Sequence, residues 1–401
     1  MGPIDSSAAF DVAIAGGGVI GCAVARALAV RGGLRIVLLE KERDVALHQS
    51  GRNSGVIHAG YNQKPGSLKA RFVVEGSRRL REFCRERGIG LHVGGILIVS
   101  QADRETEILQ GLLERGRANG AAVEWVPEDR IADVEPHARG IAALRAPEGA
   151  SFDAPAYVRT LAADARARGV EFRFGERVRD IEEDGNGVRV GPLRARVFVN
   201  AAGLYADRLA HRMGVGRGFQ VVPFRGEYCD LSPAAAALVR SHIYPVPDPR
   251  FPFLGVHLSR RTDGRVTAGP GAVLATGRES YDLGRWGDRD LLEMAAWPGF
   301  WRMMATREFV ATAAREGRKA VWKRAIWAEA RELVPAIRPG DLGRRWSGIR
   351  AQLVSRDGKL VEDLVVEETP RSVHVLNAVS PALTCSLPFG EEVAARVARK
   401  L

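Results

Sequence analysis

Thirteen residues, HQSGRNSGVIHAG at 48–60, carry two histidines, an arginine, an asparagine, two serines and three glycines. Glycine weakens helices and polar groups are sparse in ordinary strands, so the stretch reads as a loop whose bare backbone can lie close to a ligand. Its histidines, His48 and His58, can exchange protons near neutral pH. Arg52, Asn53 and Ser54 offer donors to a phosphate or a polar ring. Upstream, Gly16, Gly18 and Gly21 of DVAIAGGGVIG (11–21) have G-x-G-x-x-G spacing. The first glycine permits a tight turn, the second lets a pyrophosphate approach the backbone, and the third lets helix and strand pack closely. RIVLLEK (35–41) then supplies Glu40, placed to accept hydrogen bonds from ribose hydroxyls, with Lys41 beside it.

Such groups need elements to hold them. Strand, glycine turn, apolar helix, strand and acid, in that order, form a βαβ dinucleotide unit. The N-terminus of its helix offers free N–H groups and a positive dipole end to phosphates. NAD and FAD both use this unit. Two later segments repeat the small-residue turn. Residues 155–178 read as a helix and then a strand ending at Val178. Residues 193–203 form a strand that ends in Asn200-Ala201-Ala202-Gly203, where an open α/β sheet keeps its ligand crevice. Residues 373–401 give a strand, a small polar turn from Ser380 to Ser386 and a terminal helix that Thr384 and Ser386 are placed to cap. Three separated segments around one ligand suit FAD better than NAD.

The expected fold is α/β. A discontinuous Rossmann-like FAD-binding domain (1–90, 141–215 and 343–401) interleaves with a substrate domain (91–140 and 216–342). Short strands GGILIVS, VVPFRGEYCDL, FLGVHLSRR and GRVTAGP make the substrate domain a mainly antiparallel sheet. Extra helices follow over 289–337. There Trp297, Trp301, Trp322 and Trp327 stand among arginines and lysines. They fit either a peripheral contact with the inner face of a membrane or a helical hairpin packed on the substrate domain.

The composition sets outer bounds. The chain has 401 residues, 46% hydrophobic and 27% charged, the range of a soluble globular protein. A net charge of +11 favours an anionic partner: a small acid, a phosphate-bearing cofactor or an anionic membrane. Nucleic acid ranks last, because no RNA-binding signature, zinc-finger spacing or lysine-rich tail is present. Cys22, Cys84, Cys229 and Cys385 are far apart and without metal spacing, which fits a reduced cytoplasmic protein with no metal site. MGPIDSSAAF lacks a basic segment followed by an apolar run, so no secretory signal is expected. Ser6 matches the myristoylation spacing, against which Pro3 argues.

Longer runs are more specific. HQSGRNSGVIHAGYNQKPGSLKA (48–70), VVPFRGEY (221–228), YPVPDPRFPFLGVHLSRRTDG (244–264) and SGIRAQLVSRDGKLVEDLVV (347–366) resemble the L-2-hydroxyglutarate dehydrogenase/oxidase subfamily of the FAD-dependent D-amino-acid-oxidase-like superfamily. The resemblance extends over nearly the whole chain. It implies non-covalent FAD and oxidation of a small anionic L-2-hydroxy acid to the 2-oxo acid by hydride transfer to flavin N5. Oxygen or a quinone would then take the electrons. In that chemistry His58 is the first candidate for the base that accepts the hydroxyl proton, and His257 the second. Arg225 and Arg350 are candidates for the substrate carboxylate, with an Arg225–Glu227 salt bridge as the competing reading. His48 belongs beside the cofactor. Lys69 and Arg71 follow where a helix begins, and a solvated helix face is their ordinary reading. Asn62-Gln63, and a C-terminal turn containing Leu383 and Cys385, depart from the family's runs and bear on substrate identity. The rival readings are an amine or amino-acid oxidase, a pathway-specific alcohol oxidase, and a non-catalytic membrane-binding flavoprotein.

Overall fold

The computed structural model describes residues 9–248, 254–282, 284–378 and 380–401. The N-terminal octapeptide with Ser6, and residues 249–253 of the YPVPDPRFPFLGVHLSRRTDG run, lie outside the described residues.

Two large sheets face a common cavity. The first has eight strands. Ala9–Ala15 runs parallel to Ile36–Glu40 on one side and to Leu193–Asn200 on the other. Glu171–Phe174 extends it beyond Ile36–Glu40, and Ser372–Asn377 lies parallel to the carboxyl end of Leu193–Asn200. All five residues of Ile36–Glu40 are buried, as expected of a strand covered on both faces. Val12, Ile14 and Leu38 pack under the helices Val19–Arg31, Ala154–Ala167 and Ala382–Ala398. Ala13, Val37 and Phe198 fill the opposite face.

The second sheet has nine strands. Its spine is a long antiparallel ladder between Phe219–Leu231 and Leu342–Ser355. Its neighbours pair antiparallel too, apart from His242–Pro245, which lies parallel to Ile96–Ser100. The expected short strands appear as Ile96–Ser100, Phe219–Leu231, His257–Arg260 and Val266–Gly269, and the expected helical region as four helices from Asp288–Ala296 to Lys323–Leu333. Two strands fall outside the sheet suggested by their place in the sequence. Ala142–Ala146 pairs with Ile96–Ser100 and Glu124–Pro127, and Leu342–Ser355 pairs with Phe219–Leu231, all in the nine-stranded sheet. An apolar run identifies a strand but not its partner, which a distant part of the chain supplies. The four tryptophans also divide. Trp297 is buried and Trp327 donates its indole N–H to Ile337 O at 2.9 Å, whereas Trp301 and Trp322 are exposed.

A buried ion pair ties the sheets together. Asp207 lies on the short helix Ala206–Arg212, which follows the central strand of the first sheet. Its carboxylate receives Arg278 Nη1 at 2.6 Å and Nη2 at 2.8 Å, and also the backbone N–H of Val221 in the second sheet at 2.9 Å. Both side chains are essentially inaccessible. Asp290 and Glu293 lie 3.7 and 3.6 Å from the same guanidinium, so removing Asp207 leaves Arg278 buried but partly compensated. Asp207→Ala should therefore lower the free energy of unfolding by about 3 kcal/mol, the low end for a broken buried pair, in denaturant titrations. A loss within that of ordinary surface substitutions would show that the pair does not carry the junction.

Candidate active site

Glycines set the walls of the site. Gly16, with φ +108°, stands so close to the neighbouring strand end that a Cβ there would lie 2.4 Å from Ala201 O. A Cβ on Gly21 would lie 1.9 Å from Gly16 O. The strand ends Ala15 and Asn200 therefore meet without intervening side chains, and the helix Val19–Arg31 starts directly above them. Glu40 reaches this turn: its Oε2 accepts from Gly17 N at 2.6 Å and its Oε1 from Glu42 N at 2.9 Å. Ser50, which the sequence reading left unassigned, accepts from Val19 N at 2.9 Å and so caps the same helix.

From this turn a single cavity of about 1180 Å³ opens. Gly16, Gly18 and Glu40 line one part of it, with Val178, Ala202 and Gly203. Ser54, His58, Lys69, Arg350, Ser380 and Thr384 line another. A volume above the usual range for one small ligand fits a dinucleotide together with a substrate. The bare glycine turn, the helix N-terminus and Glu40 at the end of the second strand, lining the cavity, match what FAD requires.

The loop that carries the two histidines is held from both sides. Gly55, at φ +66°, sits where a Cβ would lie 2.7 Å from Phe152 O. Gly348 likewise lets the strand Leu342–Ser355 pass over the loop, since a Cβ there would lie 2.2 Å from Arg52 O. Asn53 works on the loop itself. Its amide donates to Gln49 O and Ser50 O at 2.9 Å each, and its Oδ1 accepts from Gly55 N at 2.8 Å. The expected donor to cofactor is thus committed to its own backbone, as asparagine often is in turns. Arg52 stacks on Tyr281 at 4.2 Å.

Other expectations are corrected. Arg225 is buried and pairs with Glu227 at 2.6 Å, so its guanidinium is already occupied. Both arginines line the cavity, and the register brings them to it from opposite faces of one ladder. Phe224 pairs with Arg350 and Arg225 with Ile349, so the two guanidinium groups leave opposite faces of the ladder. Thr384 does not cap the terminal helix, whose N-cap is Pro381 without a side-chain bond. Its Oγ1 instead accepts from His58 N at 3.1 Å. Ser386 lies within the helix and bonds Tyr157 OH at 2.8 Å. His48 and Lys41 line the cavity with the glycine turn and form a polar knot there. His48 Nδ1 lies 2.7 Å from Tyr281 OH and Nε2 lies 2.9 Å from Glu42, while Lys41 pairs with Glu279 at 2.8 Å. Lys69 is half-buried and lines the cavity, where its Nζ donates to Glu362 O at 2.7 Å.

Two histidines of the cavity are pushed toward the neutral form. Desolvation of the half-buried His58, aided by Lys69 and Arg350, brings its imidazole down to about 4. His257 is pushed down to about 3, mainly by burial. Its ring lies 4.2 Å from that of Tyr244, and its Nδ1 is 3.1 Å from Gly255 O. A carbonyl only accepts, so Nδ1 carries the proton and Nε2 keeps a free lone pair. Tyr61, Tyr228 and Tyr244, which the sequence reading did not single out, complete the walls. Aromatic residues in short strands read as ordinary core, and nothing local marks them as lining a cavity.

Fold and site define a flavoprotein. Residues 11–396 match the FAD dependent oxidoreductase family (DAO), and the chain belongs to it; FAD is its cofactor. Over 394 residues it is 38% identical to L-2-hydroxyglutarate dehydrogenase of Escherichia coli (strain K12), covering 97% of this chain and 93% of that protein. It is 36% identical over 418 residues to the mitochondrial L-2-hydroxyglutarate dehydrogenase of Bos taurus, covering 98% and 90%. The resemblance carried by the sequence runs is thereby borne out. Among solved structures, L-alpha-glycerophosphate oxidase from Mycoplasma pneumoniae superimposes with a TM-score of 0.77 at 24% identity, covering 98% of this chain and 95% of that one. Glycine oxidase from Geobacillus kaustophilus gives 0.73 at 22%, with 98% and 95% covered. These two share the fold.

The buried imidazoles make stability depend on pH. His58 and His374 sit at about 4, and His242 and His257 at about 3, with burial the leading cause in each. The unfolded chain binds these protons near the ordinary imidazole value of about 6.5, while the folded chain resists them. Acid therefore favours unfolding: stability present above that value is lost as pH falls toward the folded values. Thermal melts should show Tm dropping between about pH 6.5 and 5, above the range of ordinary carboxylates. A flat Tm across that interval would contradict buried neutral histidines.

Proposed function

We propose that this protein oxidises L-2-hydroxyglutarate at C2 to the 2-oxo acid, with His58 as the base and Arg350 as the anchor of the C1 carboxylate. The observation that carries the reading is a His58 pushed toward its neutral form and a half-buried Arg350 lining one cavity with the glycine turn. The curated relatives named above, L-2-hydroxyglutarate dehydrogenases along nearly the full chain, support the donor. Bound FAD supplies the acceptor for the α-hydrogen and two electrons that an alcohol gives up on becoming a ketone. His58 takes the hydroxyl proton, for which it must begin neutral. Arg350 orients the donor through a planar, two-pronged grip on a carboxylate. A carboxylate bound there offsets the cations that depress His58, so substrate binding strengthens the base. His257 Nε2 is a second acceptor for a substrate hydroxyl. We assign the eight-stranded sheet and its helices to the cofactor and the nine-stranded sheet to the substrate, with Ala142–Ala146 and Leu342–Ser355 going to the latter by their pairing.

Anaerobic mixing with L-2-hydroxyglutarate should bleach the flavin absorbance of the wild type. His58→Ala should retain FAD and slow that reduction roughly 10²–10⁴-fold. Bleaching by an amino acid and not by the hydroxy acid would replace the donor, and unchanged kinetics in the variant would remove His58 from its role.

The electrons then pass to oxygen or a quinone. Among the described residues no helix is long and apolar enough to cross a membrane. Trp286, Trp301 and Trp322 are nevertheless 69%, 58% and 60% exposed, beside Leu292 and Val321 and among Arg285, Arg302, Arg307 and Lys323. Exposed tryptophans with arginines and lysines support peripheral contact with an anionic bilayer. The holoenzyme should sediment with vesicles containing an anionic phospholipid, and less so after Trp301→Ser and Trp322→Ser. Equal recovery with purely zwitterionic vesicles, or none with either, would count against the contact.

A further inference from the structure

We propose that Glu329, held by the buried Lys319, is a positioning residue that acts on His257 through a single peptide group. The proposal deepens the 2-hydroxy acid reading and rests on it for the role of His257 as an acceptor in the cavity.

Lys319 is 1% exposed and among the largest fully buried side chains of the protein. It lies on the helix Arg307–Val321, whose buried stripe is Thr312, Glu316, Lys319 and Ala320. Charged groups in a buried stripe are costly unless their hydrogen bonds are completed. Two carboxylates complete them here. Lys319 Nζ lies 2.7 Å from Glu316 Oε1, and 2.7 and 2.8 Å from Oε1 and Oε2 of Glu329. Glu329 comes from the next helix, Lys323–Leu333, whose Ile326 and Ala330 share an apolar cluster with Val256 and Leu258. That packing fixes the helix over the start of the strand His257–Arg260. Arg315, 3.5 Å from Glu316 Oε1, and Glu332, whose carboxyl is held up by burial and then by Glu329, are the further charges around the network.

Each carboxylate also holds backbone of the cavity wall. Glu316 Oε2 accepts from Ala272 N at 2.8 Å, and Glu329 Oε2 accepts from Val256 N at 3.1 Å. The second bond reaches His257. The N–H of Val256 and the C=O of Gly255 belong to one peptide group, and that carbonyl lies 3.1 Å from His257 Nδ1. A carboxylate on the N–H side polarises the amide and strengthens its carbonyl as an acceptor. The bond from Nδ1–H is thereby favoured, which holds the ring and leaves the lone pair on Nε2. His58, Arg350 and Lys319 disfavour a second proton on this imidazole, whereas the Gly255 carbonyl favours one. Lys319, Glu329, one peptide group and His257 form a continuous chain of hydrogen bonds from the helices to the cavity.

The test compares holoenzyme with Glu329→Gln, which keeps one oxygen for Val256 N and removes the charge while Glu316 still pairs with Lys319. In protein carrying 15N-labelled histidine, wild-type His257 should show a protonated Nδ1 and an unprotonated Nε2. Its signals are assigned by their loss in His257→Phe. Glu329→Gln should give a mixture of the two tautomers. Anaerobic flavin reduction by L-2-hydroxyglutarate should slow roughly 10-fold in Glu329→Gln. The same substitution should have no further effect in the His257→Phe background. A role confined to holding the helices predicts equal losses in both backgrounds. If Glu329→Gln loses FAD, Glu329→Asp, too short to reach Val256 N, replaces it with the same expected results. Unchanged nitrogen shifts, an unchanged rate, or equal losses in both backgrounds would overturn the assignment. If the tautomer depends on Glu329 while L-2-hydroxyglutarate fails to reduce the wild-type flavin, the donor reading falls and the positioning of His257 stands.

Discussion

Gly16, Gly76 and Gly348 each stand where a Cβ would lie within 2.4 Å of a neighbouring carbonyl oxygen. No real side chain tolerates that distance, so at all three places backbone meets backbone. The first contact joins the two central strands of the parallel sheet at their carboxyl ends. The second presses the helix of Lys69 onto the start of the terminal helix. The third lays the Arg350 strand over the loop of His48 and His58. The cavity is the space these contacts leave, and the glycine turn, the His58 loop and the Arg350 strand are each positioned through at least one of them.

Within that space the chain spends its polar groups unevenly. Asn53, Arg225 and Lys41 are satisfied by protein partners and hold loops and strands in place. His58, His257, Lys69 and Arg350 bear the cost of desolvation, seen as lowered proton affinities. On the proposed reading, a base that is neutral when empty and lies near cations gains proton affinity when an anionic substrate binds.

The two large sheets are joined by an apolar cluster in which Leu204, Ala206 and Leu376 pack on Val221, Ile349 and Leu353. The Asp207–Arg278 pair adds to it by drawing the helix after one sheet, the loop after Leu274 and Val221 of the other sheet onto one buried carboxylate. Burial alone would raise the proton affinity of Asp207, and the adjacent guanidinium outweighs it and holds the carboxyl below its ordinary value. The pair stays ionised, and the two halves of the cavity keep their spacing.

The glycine triplet, Glu40 and the small turn at Ala202-Gly203 were legible in the sequence because their signal is local: spacing along one βαβ unit or one strand end specifies their geometry. The loop of His58 was legible as a backbone lying close to something. What remained hidden depended on register and on distant packing. Nothing near Arg225 and Arg350 distinguishes them; the ladder between two strands more than a hundred residues apart in sequence sends one guanidinium to Glu227 and the other out of the opposite face. Asn53 looked like a ligand donor because its type and position are the same whether its amide faces a ligand or its own loop. Lys69 looked solvated because a helix start is usually exposed, and nothing in its neighbourhood in the sequence shows that this lysine lines the cavity. The sequence determined which chemistry was on offer and which cofactor the turns would cradle. The tertiary structure decided which charged groups face the cavity, because side-chain direction follows from strand pairing and helix docking, which no local pattern encodes.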